Sequence, residues 1–142
     1  MLKGHGHIVV QPKRGRMVVQ LGADFIQYYI WHIQKYFKIR VGSPRDGGHI
    51  SLALPDFDKN VDWKCANLYK DLEVDFEYDP YIIVGGKTKT FRNFYVNVYS
   101  DELERICKDV GTEKKTNSFH ITLGNTKGIG FVDYWPQMIE LR

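Results

Sequence analysis

Cysteine is scarce: the 142 residues hold two, Cys65 and Cys107. Neither lies in a CxxC pair or a Cys/His cluster, which argues against a zinc site. Both fall on the apolar stripes of expected helices, so buried free thiols suited to a reducing compartment are expected. Charge of one sign is also lacking. A net charge of +3 tolerates an anionic ligand but does not make a bulk nucleic-acid binder. No apolar run approaches the length of a membrane span. The start, Met1-Leu2-Lys3-Gly4-His5-Gly6-His7, has no apolar core of a secretory leader. No carboxylate-rich metal cluster is evident, and His5 with His7 lacks a third ligand, so no metal and no cofactor are expected. Gly85-Gly86-Lys87-Thr88 lacks the GxxxxGK[ST] spacing of a nucleotide phosphate loop and reads as a plain loop.

What is abundant is aromatic: nine Tyr, eight Phe and three Trp, 14% of the chain. Some belong to a core and some are candidate stacking surfaces for bases. The length suits one domain over residues 1–142.

One pattern is written twice. His49-Ile50-Ser51-Leu52 and His120-Ile121-Thr122-Leu123 are each His, apolar, hydroxyl, apolar, 71 residues apart. Random placement at this composition gives two such tetrapeptides in roughly two chains per thousand, counting template matches. The alternation has the period of a half-buried strand, so His and hydroxyl share one face and the apolar pair the other.

The elements around the motifs repeat in order. His7–Gln11 and Arg16–Leu21 read as a hairpin about the turn Pro12-Lys13-Arg14-Gly15. Asp24 is the expected cap of a helix to about Phe37 or Lys38, with Ile26, Ile30, Ile33 and Phe37 on its stripe. Tyr28, Tyr29, Trp31, His32 and Tyr36 thicken that stripe as core or core edge, with His32 a satisfied, half-buried histidine. The breaker run Gly42–Gly48 leads into the first motif strand. Asn60 or Asp62 is expected to cap a second helix through about Leu72, striped by Val61, Cys65, Leu68 and Leu72. Strands follow at 73–78, 81–84 and 91–99, then a helix capped by Ser100 and closed by Gly111, then the second motif strand. Strand, helix, motif strand thus occurs twice. A pseudo-twofold fold would bring the two motif strands side by side.

Cleaving a phosphodiester needs a nucleophile made more basic and a leaving oxygen protonated. Imidazole titrates near neutrality, so a neutral His can accept a proton while a protonated one donates. Ser51 and Thr122 can donate hydrogen bonds to the non-bridging oxygens, where charge must be held in the transition state. No metal is required if the nucleophile is a ribose 2′-hydroxyl or an activated water.

The paired motifs, about half a chain apart and flanked by Gly-rich or polar loops, resemble the two-histidine (2H) phosphoesterase superfamily. That group includes LigT-like RNA ligases and cyclic phosphodiesterases, viral 2′,5′-oligoadenylate phosphodiesterases, and small phage anti-CBASS enzymes that destroy cyclic oligonucleotide signals. The resemblance covers roughly residues 16–141. It implies an α+β, bilobal, pseudo-twofold fold: central antiparallel sheets forming a concave cleft, with helices packed outside. Its lobes would span roughly 16–80 and 81–142. It casts His49 and His120 as acid and base, with Ser51 and Thr122 as phosphate ligands. Members commonly use Thr at both hydroxyl positions, so Ser51 departs from the pattern but keeps the hydroxyl. Compactness and motif spacing look most like the phage type. The implied protein is a monomeric hydrolase of cyclic oligonucleotides or short RNA-like substrates. It would have no protein or membrane partner and would lie in the cytoplasm, the host's if the chain is viral. The alternatives are an RNA 2′,3′-cyclic or 2′,5′-oligoadenylate phosphodiesterase, and a non-catalytic nucleotide sponge.

Bases need stacking partners and phosphates need cations. Tyr134 and Trp135 are candidates to cover a base, with packing on the sheet as the alternative; Trp63 and Tyr81 carry the same two readings. Lys127 and Arg45 are candidate phosphate contacts or plain surface charges. Glu140 can orient an imidazole, fix a purine edge or simply be solvated. Asn93, Tyr95 and Asn97 share a strand face that would line the cleft floor.

Overall fold

The computed structural model describes residues 1–38, 40–88, 91–112, 119–126 and 138–140. Lys127, Tyr134 and Trp135 lie outside them. The fold is α+β: one large antiparallel sheet with few helices. In chain order the elements are β1 (Leu2–Gln11), β2 (Arg16–Gln20), α1 (Ala23–Phe37), β3 (His49–Ala53), α2 (Trp63–Asn67), β4 (Glu73–Tyr78), β5 (Tyr81–Thr88), β6 (Phe91–Tyr99), α3 (Asp101–Val110), β7 (His120–Asn125) and β8 (Met138–Glu140).

Across the sheet the strands run β4-β1-β2-β3-β7-β6-β5-β8. Read from the middle outward, each strand of one half faces the strand four places later in the other. Hairpin, helix, inner strand and outer strand occur twice, and the inner strands are β3 and β7. They meet antiparallel with Ile50 opposite Ile121, the second residue of each motif. The palindrome therefore has its centre between the two motifs. A further pairing of β4 with β6 closes six of the strands into a ring.

The apolar face of this sheet is the core. Ile50, Leu52, Ile121 and Leu123 are fully buried, with Ile8, Val19, Phe94, Val96 and Val98 beside them. Burying a large aliphatic side chain contributes about 1.5–3 kcal/mol. A one-residue slip would turn all four motif aliphatics outward, at about 6–12 kcal/mol, as much as the whole net stability of a domain. The side on which the histidines project is fixed by that cost. Helices α1 and α3 join the same core through Ile26, Tyr29, Ile30 and Ile33, and through Leu103, Ile106, Cys107 and Val110. The Ser100 hydroxyl accepts from the Leu103 amide and Gly111 closes α3 in the left-handed region, as the sequence predicts.

Other expectations are corrected. Gly22, not Asp24, stands at the cap of α1; Asp24 sits in the first turn, where its charge suits the helix dipole. Of the α1 aromatics only Tyr29 is buried, its hydroxyl hydrogen-bonded to that of Tyr78 at 2.8 Å. Tyr28, Trp31 and Tyr36 are exposed. His32 stacks on Tyr28, but its buried Nε2 has no hydrogen-bond partner among the described residues, so it is not satisfied. Asp62 does cap α2, accepting from the Cys65 amide, but the helix ends at Asn67 and leaves Leu68 83% exposed. The cause lies in the sheet. Asp71 N–H donates to the Ile8 carbonyl and Ile8 N–H to that of Leu72, so residues after the helix extend the β1 pairing instead. Neither cysteine forms a disulfide; Cys107 is buried and Cys65 only half-buried. The Gly85–Thr88 loop is the end of β5, its register to β6 shifting between Gly85 and Thr88 around a left-handed Gly86. Strand β1 begins at Leu2, so His5 is part of the sheet, paired with Glu73 and Asp75.

Candidate active site

The register of Ile50 opposite Ile121, continued one residue each way, sets His49 across from Thr122 and Ser51 across from His120. The four side chains then form a quadrilateral on the non-core face. The histidines occupy one diagonal and the hydroxyls the other. Directly opposed residues lie about 5 Å apart at Cβ, diagonal ones roughly 7–8 Å apart. That diagonal suits one tetrahedral phosphate with an imidazole on each side, leaving the hydroxyls for its remaining oxygens. His49, Ser51 and Thr122 are half-buried and His120 is exposed.

The neighbouring strands frame the four. On β2, Gln20 pairs with His49 and Val18 with Ser51. On β6, Asn97 pairs with His120 and Tyr95 with Thr122. Each histidine therefore has a side-chain amide in register beside it. The Tyr95 ring meets the His120 ring edge to face, with centroids 5.6 Å apart. Asn93, Tyr95 and Asn97 thus line this face as the alternation of β6 predicts.

His49 is held by the segment that delivers it. Its Nδ1 lies 3.0 Å from the Gly47 carbonyl. A carbonyl only accepts, so Nδ1 carries the proton and Nε2 presents its lone pair in the neutral ring. Burial pushes the imidazole below its ordinary pKa, with the Arg16 charge acting in the same direction; the Gly47 hydrogen bond and Asp46 oppose it. Gly47 occupies the left-handed region at φ 74°, and its N–H closes a turn onto the Pro44 carbonyl. The next carbonyl, of Gly48, accepts from Leu21 N–H and from Gln20 Nε2. Behind it, a Cβ on Gly48 would stand 2.5 Å from Ile26 Cγ1. At its other end the segment is anchored to the second motif strand, where Gly42 and Asn125 exchange both backbone hydrogen bonds. The glycine-rich run therefore spans from the end of β7 to the start of β3.

The structure brings together His49, Ser51, His120 and Thr122. Arg45 is exposed in the Pro44–Gly47 turn three residues before the motif's neighbour Gly48. Glu140 lies on β8 opposite Tyr81, three strand spacings from β7, about 14 Å along the sheet. The sheet order does not set it beside either histidine. Trp63 packs against the core edge, and Tyr81 is exposed. Gln20, Arg16 and the Gly47 carbonyl belong to the surroundings of His49 but carry no motif. The one signal available was Arg16 and Gln20 sharing a strand face with Val18.

A cavity of about 630 Å³ lies elsewhere, lined by Lys3, Asp75, Phe76, Glu77, Tyr99 and Asp101 among others. Its lining is mainly acidic, which disfavours an anionic ligand there. Among the described residues no group of three or more His, Cys, Asp or Glu is placed to hold a metal, and no helix is long and apolar enough to cross a membrane. No family model, curated protein or solved structure matches the chain.

Proposed function

We propose that the protein is a two-histidine phosphodiesterase that works without a metal and cleaves the 3′-5′ bonds of cyclic di- or oligonucleotides, in the manner of phage anti-CBASS enzymes. The observation that carries the proposal is the register of Ile50 with Ile121, which sets a His and a hydroxyl from each motif on one face. The palindromic strand order supports a pseudo-twofold, bilobal two-histidine fold with the motifs at its axis.

The environment of His49 supports its assignment as the base. A neutral ring with Nδ1–H tied to Gly47 leaves Nε2 free to take the proton of the nucleophile, a water or a ribose 2′-hydroxyl. His120, across the diagonal, then gives a proton to the leaving 5′-oxygen. One phosphorus–oxygen bond forms as the opposite one breaks, and proton exchange with solvent resets the pair. Ser51 and Thr122 hold the non-bridging oxygens through this step. Tyr95, against His120, is a described aromatic placed to meet a base or ribose.

The test is incubation with 3′,3′-cyclic GMP-AMP and related cyclic di- and trinucleotides in EDTA. RNA 2′,3′-cyclic phosphate ends and 2′,5′-oligoadenylate are run alongside. Cleavage of a cyclic dinucleotide that survives EDTA and disappears in the His49→Ala, His120→Ala double variant is expected. Loss in EDTA, or full activity in the double variant, would sink the mechanism. Cleavage of only the other two substrates would keep the mechanism and replace the substrate. Tight binding with the ligand recovered intact would point to the sponge.

A further inference from the structure

Arg16 is a charged residue with only 8% of its surface exposed. Its Nη1 donates to Gln11 Oε1 at 3.0 Å, an oxygen that Arg14 Nη1 also approaches at 3.5 Å. Its Nη2 is buried and has no hydrogen-bond partner among the described residues. The nearest carboxylate oxygen, Asp46 Oδ2, stands 3.8 Å away, an ion pair without a hydrogen bond. A buried guanidinium N–H left unbonded costs more than a neutral one, and an unbonded buried group in a folded protein calls for a specific explanation, a functional role among them.

The strand places Arg16 on the site's face. Arg16, Val18 and Gln20 alternate along β2, and Val18 and Gln20 lie opposite Ser51 and His49. The shift in register between Met17 and Val18 puts the extra residue on β3, so the alternation of β2 carries through to Arg16. Val18 is fully buried yet belongs to no part of the core cluster, as expected for a residue on the opposite face. Segment 42–48 brings Asp46 within 3.8 Å of Arg16. The charge of Arg16 also acts on the His49 imidazole.

We propose that Arg16 is a substrate-binding residue, the cation that takes a phosphate oxygen on the Ser51 side of the site through its unbonded Nη2. The assignment rests on the phosphodiesterase reading for its substrate class and on the unbonded N–H for the residue. A guanidinium is suited to the task, being always charged and presenting a rigid fork to phosphate. Asp46 competes with the incoming anion for the same N–H.

The alternative role is a clamp, with the Arg16–Asp46 pair merely pinning the segment that holds Gly47. The two roles differ in sign. If Arg16 binds phosphate, Arg16→Met weakens the site and Asp46→Asn tightens it. If the pair is a clamp, both substitutions loosen the segment and both weaken it. Isothermal titration of inorganic phosphate, and of a nonhydrolysable phosphorothioate 3′,3′-cyclic GMP-AMP, into wild type, Arg16→Met, Arg16→Lys and Asp46→Asn reads this directly. Melting temperature is followed in parallel. Expected are a loss of about tenfold or more for Arg16→Met, a smaller loss for Arg16→Lys, and a gain of roughly threefold for Asp46→Asn, from the strength of charge-assisted hydrogen bonds. Equal losses in Arg16→Met and Asp46→Asn, unchanged affinity in Arg16→Met, or no phosphate binding by wild type would each overturn the proposal. Binding is read without turnover. Arg16-dependent affinity without cleavage would leave this inference standing and remove the phosphodiesterase; cleavage indifferent to Arg16 would do the reverse.

Discussion

Gly47 is where the conformation of one residue sets the proton position of another. Its φ of 74° lies in the region that L residues avoid, and its carbonyl fixes the Nδ1 proton of His49. Space is not the obstacle to a side chain, because an added Cβ would meet only Gln20 Nε2, at an ordinary 3.4 Å. The cost of Gly47→Ala is therefore conformational, about 1–2 kcal/mol. At roughly 3–4 °C per kcal/mol for a chain of this length, melting should fall by about 3–8 °C. Gly47→Val should fall further and Gly47→Asn less, since Asn tolerates the left-handed region. Where the backbone relaxes instead, the carbonyl turns away, His49 loses its tautomer and cleavage falls with a smaller change in melting. Thermal unfolding and the nitrogen-15 spectrum of the His49 ring distinguish the two responses. Equal melting temperatures for wild type, Ala, Val and Asn, with the Nδ1 proton in place throughout, would refute the reasoning.

The pH dependence follows from the same ring. The folded pKa of His49 is lowered, chiefly by burial, below its ordinary value near 6.5. The unfolded chain therefore binds the proton more readily. The contribution of His49 to stability is fully present above pH 6.5 and is lost as pH falls through the lowered folded value. The acid limb of kcat/KM should likewise fall below 6.5, and a limb at or above 6.5 would contradict His49 as the base. A Cβ on Gly124 would stand 2.4 Å from Val41 Cγ1 and 2.9 Å from the Gly42 carbonyl oxygen. That carbonyl is bonded to Asn125, so the backbone has little room to give. Gly124→Ala should destabilise by about 1–3 kcal/mol in urea unfolding, and no loss of stability would contradict the close Gly42–Asn125 pairing.

The parts of the fold legible in the sequence are those where one local rule settles the structure. Alternation in His49–Leu52, His120–Leu123 and Phe91–Tyr99 gave strands whose apolar faces are buried as expected. Ser100 and Gly111 bounded α3 because caps act within one turn. Rules failed where distant partners decide. The stripe through Leu68 and Leu72 has helical spacing, yet Asp71 takes a left-handed conformation and bonds to Ile8. Gly85 and Gly86 resemble a loop until β6 pairs with Gly85 and Thr88 on either side of the register shift, and a Cβ at Gly85 would stand 3.3 Å from the Tyr95 ring that reaches His120. The four motif side chains were legible as a pair of pairs. Their diagonal arrangement, and the tautomer of His49, required the register and the Gly47 turn, which no short window contains. Arg16 stayed hidden because its significance lies in an unmade hydrogen bond.

The central claim is that two motifs make one site. It is tested most directly by kcat/KM for 3′,3′-cyclic GMP-AMP in His49→Ala, His120→Ala and the double variant. Groups that act as a unit are strongly non-additive. Each single substitution is expected to cost about as much as both together. Losses that add in free energy, or a single variant with wild-type activity, would contradict a shared site.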